Sequence, residues 1–261
     1  MRALAACPIT GRVVQGLVTN VLTFFGHASF QLTLQGGRTI LVDPWLRGNP
    51  RCPASLKDLP APDVLLITHG HEDHFDVEYV LSTSRARTRV IAPTPVRMFL
   101  MERGFDSSLL EPMNKGGTIR IVGAHVTMTH ALHHAHISTE SGAVWPHESA
   151  GYIVRSGALC MYFAGDTGIF SEMSLIRDVY APTHAVLPIG DRYTMGPLEA
   201  AHAIRLLGAT CVIPFHYDLM PSLTGSPTEL ERLTNDIPGL VVHALQPGDT
   251  LTLESFVEAR S

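Results

Sequence analysis

At 261 residues, with a formal net charge of −5 and 45% apolar residues, the chain is long enough to bury a large α/β core in one domain. Its 19 Lys and Arg residues are dispersed rather than gathered in a basic stripe, which argues against nucleic acid as a partner. No apolar run approaches the roughly 20 residues of an integral membrane segment.

The opening residues carry an apolar patch at 3 to 7 that is shorter than a secretory core. Residues 1–20 are read as an N-terminal extension, either poorly ordered or an added strand, and residues 21–261 as a single domain. From 20 to 43, the segments VLTFF, ASFQLTL and RTILVD alternate apolar residues around a Gly-Gly hairpin signal and read as β structure. DVLLIT is a continuous apolar run, a strand covered on both faces. A helix at 77 to 84, the strand RVIAP and a helix at 95 to 103 with Pro at its start follow. TIRIVGAHVTMTH predicts two strands around Gly123, and GYIVRSGALCMYFAGD a hairpin turning at Ser156-Gly157. Between them, residues 134 to 148 lack periodicity and read as a long loop, with Trp145 at the mouth of a site. Helices at 170 to 179, 197 to 207 and 227 to 235 then alternate with the strands HAVLPI, CVIPF and LVVHAL. Strands carrying helices on their outer faces make a layered α/β protein.

Polar clusters fall where apolar strands stop. His69 follows VLLIT, Asp166 follows MYFAG, Gly190-Asp191 follows AVLPI and His216 follows CVIPF. Ligands of α/β sheets gather at the carboxyl ends of strands, so these four points converge on one site. In THGHEDH (68 to 74), His69 and His71 are two apart, and in an extended segment they point to the same side and can share one cation. Asp73 and His74 follow at a turn and can address a second. Imidazole nitrogen and carboxylate oxygen suit zinc, with manganese or iron as alternatives. The 14 histidines point the same way. Four cysteines (Cys7, Cys52, Cys160, Cys211) without a C-x-x-C pair read as reduced thiols of a cytoplasmic protein.

Together with GHASF, LVDPWLRGNP, ALH (131 to 133), FAGDTGIFSEM, LPIGDRYTMGP and PFHYD, THGHEDH resembles the metallo-β-lactamase superfamily over residues 21 to 253. The resemblance is strongest to a group of metal-dependent hydrolases related to ascorbate-6-phosphate lactonase and N-acylphosphatidylethanolamine phospholipase D. It implies a four-layer αββα sandwich with two divalent metal ions. His69, His71 and His133 would hold one, Asp73, His74 and His216 the other, and Asp166 would bridge them. A hydroxide between the cations would attack an ester-type bond, a lactone or a phosphodiester, in a small molecule. Asp73, Asp166 and His27 are the catalytic candidates; His27 either contacts substrate or fills the space below the site, and Asp43 either fixes the tautomer of a ligand histidine or only starts a turn. His133 occupies the A-x-H position of the family, and His134 and His136 are left as contacts or as surface residues. Arg192 could clamp a phosphate or carboxylate, while His125, His147, His184, His202 and His243 receive no role. The relatives suggest a homo-oligomer. A rival reading is a non-catalytic metal-binding scaffold or sensor.

Overall fold

The first hairpins form as the alternation predicts: Leu22, Phe24, Phe30 and Leu32 face the space between the sheets while Phe25 packs on the opposite face, so the pleat gives the sheet two distinct faces. In the computed structural model, which describes residues 3–4, 14–139, 142 and 144–258, with side chains from 19 to 254, strands β1 (Ala3–Leu4), β2 (Val14–Gly26), β3 (Ser29–Thr33), β4 (Thr39–Val42), β5 (Val64–Leu66), β6 (Arg89–Ile91) and β7 (Leu110–Glu111) precede β8 (Thr118–Ile121), β9 (Ala124–Ser138), β10 (Val144–Ser156) and β11 (Leu159–Phe163). After these come β12 (His184–Pro188), β13 (Cys211–Phe215), β14 (Val241–Val242) and β15 (Thr250–Glu258). The helices are α1 (Val77–Thr83), α2 (Thr94–Glu102), α3 (Met173–Tyr180), α4 (Pro197–Leu207) and α5 (Pro227–Thr234). One sheet has the order β1-β15-β2-β3-β4-β5-β6-β7 and the other β14-β13-β12-β11-β10-β9-β8.

Apart from the parallel pair β1–β15, each sheet is antiparallel through its hairpins and turns parallel at β4–β5 in the first and β11–β12 in the second. The parallel strands β5, β12 and β13 are buried along their whole length, as strands covered on both faces must be. Leu22, Phe30, Ile40 and Leu66 of one sheet pack against Val126, Tyr152, Met161 and Ile213 of the other. Outside the first sheet lie Tyr79, Val80, Val96 and Phe99 of α1 and α2. Outside the second lie Met173, Ile204 and Leu230 of α3, α4 and α5. The architecture is the four-layer αββα sandwich that the sequence implies.

Three expectations change. Residues 134 to 148 are mostly strand: β9 and β10 pair from His125↔Arg155 to Ser138↔Val144. Trp145 packs edge-on against Phe99, at 6.0 Å between ring centroids, and belongs to the core under α2 rather than to a site mouth. Among the cysteines, Cys52 and Cys160 are free and buried, but Cys211 is disulfide-bonded, and Cys7 lies outside the described residues. Among the described residues no helix is long and apolar enough to cross a membrane.

Candidate metal centre

The site forms where strands of both sheets end. β5 runs into Thr68 and the THGHEDH loop, β11 into Asp166, and β13 into His216. His27, Asp43 and His216 stop their strands in the left-handed region, with φ of 55°, 48° and 61°, a conformation that costs a side-chain-bearing residue free energy and clusters at functional sites. The His216 N–H donates to the His27 carbonyl at 3.2 Å, which joins the two sheets at the site.

The fourth element is β9. Its ladder with β10 loses register between Glu148 and Ala150, opposite residues 131 to 133, and such a bulge re-aims side chains. Along β9, Ala131, Ala135 and Ile137 are buried and His133 half-buried, whereas His130, His134 and His136 are exposed. Strand alternation therefore selects His133 from the four histidines. His136 remains close to the site, its ring 4.9 Å from that of His71, while His134 faces Glu148 across the strand pair.

All of the predicted ligands meet. His69 Nε2 lies 3.0 Å from His71 Nδ1, and His133 Nε2 3.4 Å from the same atom. A tetrahedral ion with bonds of about 2.0–2.1 Å sets its ligand nitrogens roughly 3.3 Å apart, so this spacing fits three imidazoles around one cation. Asp166 reaches both sides: Oδ1 is 3.2 Å from His74 Nε2, and Oδ2 is 3.2 Å from His216 Nε2, 3.8 Å from His133 Nε2 and 4.0 Å from His69 Nε2. Asp73 Oδ2 is 3.7 Å from His216 Nε2 and 2.9 Å from His27 Nε2. The ligand-type atoms fall into three overlapping groups: His69, His71 and His133; His69, His74 and Asp166; and His27, Asp73, His74 and His216.

Hydrogen bonds behind the cluster fix which nitrogen faces inward. Asp43 accepts from the Thr68 N–H and hydroxyl, each at 2.7 Å, and from His74 Nδ1 at 2.8 Å. The Thr68 hydroxyl, already donating to Asp43, accepts from His69 Nδ1 at 3.0 Å. With Nδ1 protonated in both rings, Nε2 of His69 and of His74 presents a lone pair to the interior. His74 Nε2 and Asp166 Oδ1 are buried and have no hydrogen-bond partner, although buried polar atoms are ordinarily satisfied. An inward lone pair and an inward carboxylate oxygen, both orphaned, fit a cation between them.

The sequence profile of the Beta-lactamase superfamily domain matches residues 38–217. The chain belongs to this superfamily. Within it, a UPF0173 metal-dependent hydrolase of Rubrobacter xylanophilus is 42% identical over 88% of this chain and 95% of its own. Another from Koribacter versatilis is 39% identical over 88% and 96%. Igni18, a metallo hydrolase of Ignicoccus hospitalis, superposes with a TM-score of 0.77 at 31% identity, covering 91% of this chain and 99% of that one. The chain is thus a metal-dependent hydrolase of the beta-lactamase superfamily.

An imidazole binds a cation in its neutral form, and the electrostatics of most of the cluster favour that form. Burial, reinforced by the neighbouring imidazoles, holds His69 well below the ordinary histidine range and brings His71 and His27 to about 4. His133 is lowered by the same causes. Burial alone would raise Asp166, but His216 and His74 outweigh it and hold the carboxyl well below its usual range. His74 is the exception. Burial disfavours its charge, yet Asp166, Asp43 and Asp73 overcome that and raise it well above 6.5, the behaviour of an imidazole ringed by carboxylates that a cation would otherwise compensate.

One contributor was not legible in the sequence. His147 of β10 accepts from the Gly70 N–H with Nε2 at 3.0 Å, while its Nδ1 donates to the Trp145 carbonyl at 3.0 Å. It pins the loop between His69 and His71. A Cβ on Gly70 would lie 2.3 Å from Ile137 Cγ1 and 3.1 Å from His147 Cε1, so only glycine permits this approach. A cleft of about 220 Å³ opens over His71, Asp73, His133, Asp166 and His216.

Proposed function

We propose that the protein hydrolyses an ester-type bond, a lactone or a phosphodiester, in a small molecule, using a dinuclear centre of zinc, with manganese or iron as alternatives. The observation that carries the reading is Asp166, which lies between two sets of nitrogens: Oδ1 is 3.2 Å from His74 Nε2 and Oδ2 3.2 Å from His216 Nε2 on one side, and Oδ2 is 3.8 Å from His133 Nε2 and 4.0 Å from His69 Nε2 on the other. One carboxylate with two oxygens is what adjacent cations require. His69, His71 and His133 would hold one ion, Asp73, His74 and His216 the other, and Asp166 both. Divalent cations bound there lower the pKa of water and polarise a scissile oxygen.

The chain's own residues prepare that chemistry. Asp43 orients His74 and, through Thr68, His69. His27 donates from Nε2 to Asp73 Oδ2, which fixes the carboxylate and leaves its other oxygen for a ligand. The open cleft admits substrate above this floor. Residues 21–261 act as one hydrolase domain, with 1–20 as an extension.

The test is hydrolysis of paired lactone and phosphodiester panels by metal-loaded protein, with metal content measured in parallel. The expected outcome is turnover of one class by a chain carrying a metal pair, reduced to background in Asp166→Ala together with loss of metal. Stable binding of the pair without turnover of either class would favour a scaffold or sensor.

A further inference from the structure

The walls of the cleft above the candidate metal centre differ in character from its floor. The floor is imidazole and carboxylate. The walls are Tyr193, Met220 and Leu223, and no Lys or Arg is among the residues that line the space. Tyr193 is 53% and Met220 43% exposed, whereas Leu223 is 5% exposed. Large apolar side chains left open beside convergent polar groups mark a ligand surface.

The walls are also built rather than incidental. Tyr193 sits on the loop after β12, in which Asp191 and Arg192 both hold positive φ, 66° and 47°. Met220 and Leu223 sit on the loop after β13. The two loops interlock, because a Cβ on Gly190 would lie 2.0 Å from the His216 carbonyl oxygen and one on Gly225 only 1.6 Å from that of Ile189. Thr224 donates to Asp191 Oδ2 at 3.3 Å, and the Met195 N–H donates to the Thr167 carbonyl at 3.0 Å, next to Asp166. Two consecutive left-handed residues, held by contacts on both sides, present Tyr193 to the cleft. Arg192 is not among the residues lining the space; its guanidinium lies over the Tyr193 ring at 5.6 Å, a cation–π contact.

We infer that the portion of the substrate beyond the reacting bond is an uncharged apolar group, an acyl chain or ring, seated between Tyr193, Met220 and Leu223. Where the reacting bond lies rests on the hydrolase reading above. The apolar preference rests on the walls. Met220 suits such a group because its flexible thioether adapts to varied apolar shapes, and none of the three wall residues carries a positive charge to pair with a second phosphate or carboxylate.

Alkyl hydroxamates separate the two readings, since the head group binds a metal floor and the tail probes the walls without turnover. Calorimetric titration of the metal-loaded protein with acetohydroxamate, hexanohydroxamate and octanohydroxamate should show affinity rising about two- to fourfold per methylene until the cleft is filled. Tyr193→Ser and Met220→Ser should shrink that increment more than they change acetohydroxamate affinity. A flat series in the wild-type protein, or tighter binding when hexanohydroxamate ends in a sulfonate, overturns the inference. If octanohydroxamate binds while acetohydroxamate does not and no metal is retained, the apolar wall stands and the dinuclear reading falls.

Discussion

Gly70 and His147 set the position of His69 and His71, two of the proposed ligand imidazoles, without themselves facing the cleft. In His147→Ala the buried Gly70 N–H loses its acceptor, which costs about 1–3 kcal/mol, and metal affinity should fall roughly 10- to 100-fold, as when the partners that orient ligands are removed. His147→Gln, which restores an acceptor oxygen, should recover part of it. Competition with a chromophoric chelator measures both variants, and unchanged affinity in His147→Ala would show that the loop holds itself. Sequence could not find His147. Its partner is a backbone N–H 77 positions away, and nothing near residue 147 distinguishes it from an ordinary surface histidine. His69, Asp166 and His216 were legible because each follows an apolar strand, and strand ends are where α/β sheets place ligands, whereas His133, inside β9, was legible only through the A-x-H position that the family resemblance supplies.

At the scale of elements, the β9–β10 hairpin is the part of the fold that sequence hid. Its inward positions near the site are Ala131, Ala135 and Ile137, and its outward ones His130, Leu132, His134 and His136. Small buried residues opposite histidines give little contrast in hydrophobicity, so the period of two is faint, and Pro146 reads as a breaker. The hairpin matters because Tyr152, fully buried in β10, donates its hydroxyl across the sandwich to the Ile67 carbonyl at 2.8 Å, directly before the THGHEDH loop. Tyr152→Phe keeps the ring and removes that donor. Denaturant unfolding should show a loss of about 1–3 kcal/mol from the unsatisfied carbonyl; no loss would mean that Ile67 is satisfied by other means.

Over the whole molecule, acid stability should depend on a histidine far from the metal centre. Burial lowers His184 to about 4, with His243 beside it adding to the effect, and the Nε2 atoms of both are buried without a partner. The unfolded chain titrates near 6.5 and so binds the proton more readily than the folded one. This contribution is therefore fully present above pH 6.5 and is lost as pH falls towards 4. The gap from 6.5 to about 4 corresponds to about 3 kcal/mol. Thermal melts of metal-loaded wild type and His184→Phe should show the wild type losing stability more steeply than the variant as the buffer is acidified below pH 6.5, and parallel curves would remove His184 as the cause. The layered architecture itself was readable from the alternation of strands and helices, whereas the pairing of sheets that brings His69 beside His133 and His216 depends on contacts distant along the chain. That distance has a kinetic consequence. The side chains of the candidate metal groups come from positions 27 to 216, in both sheets, so no single hairpin or crossover can assemble the centre while the rest is unformed. Cations would then stabilise the completed structure but not the rate-limiting ensemble, which has yet to close its longest loops. Stopped-flow chevrons recorded with and without zinc should share a refolding limb and separate in the unfolding limb, so the ions would act as a latch on escape from the native state rather than as a guide into it.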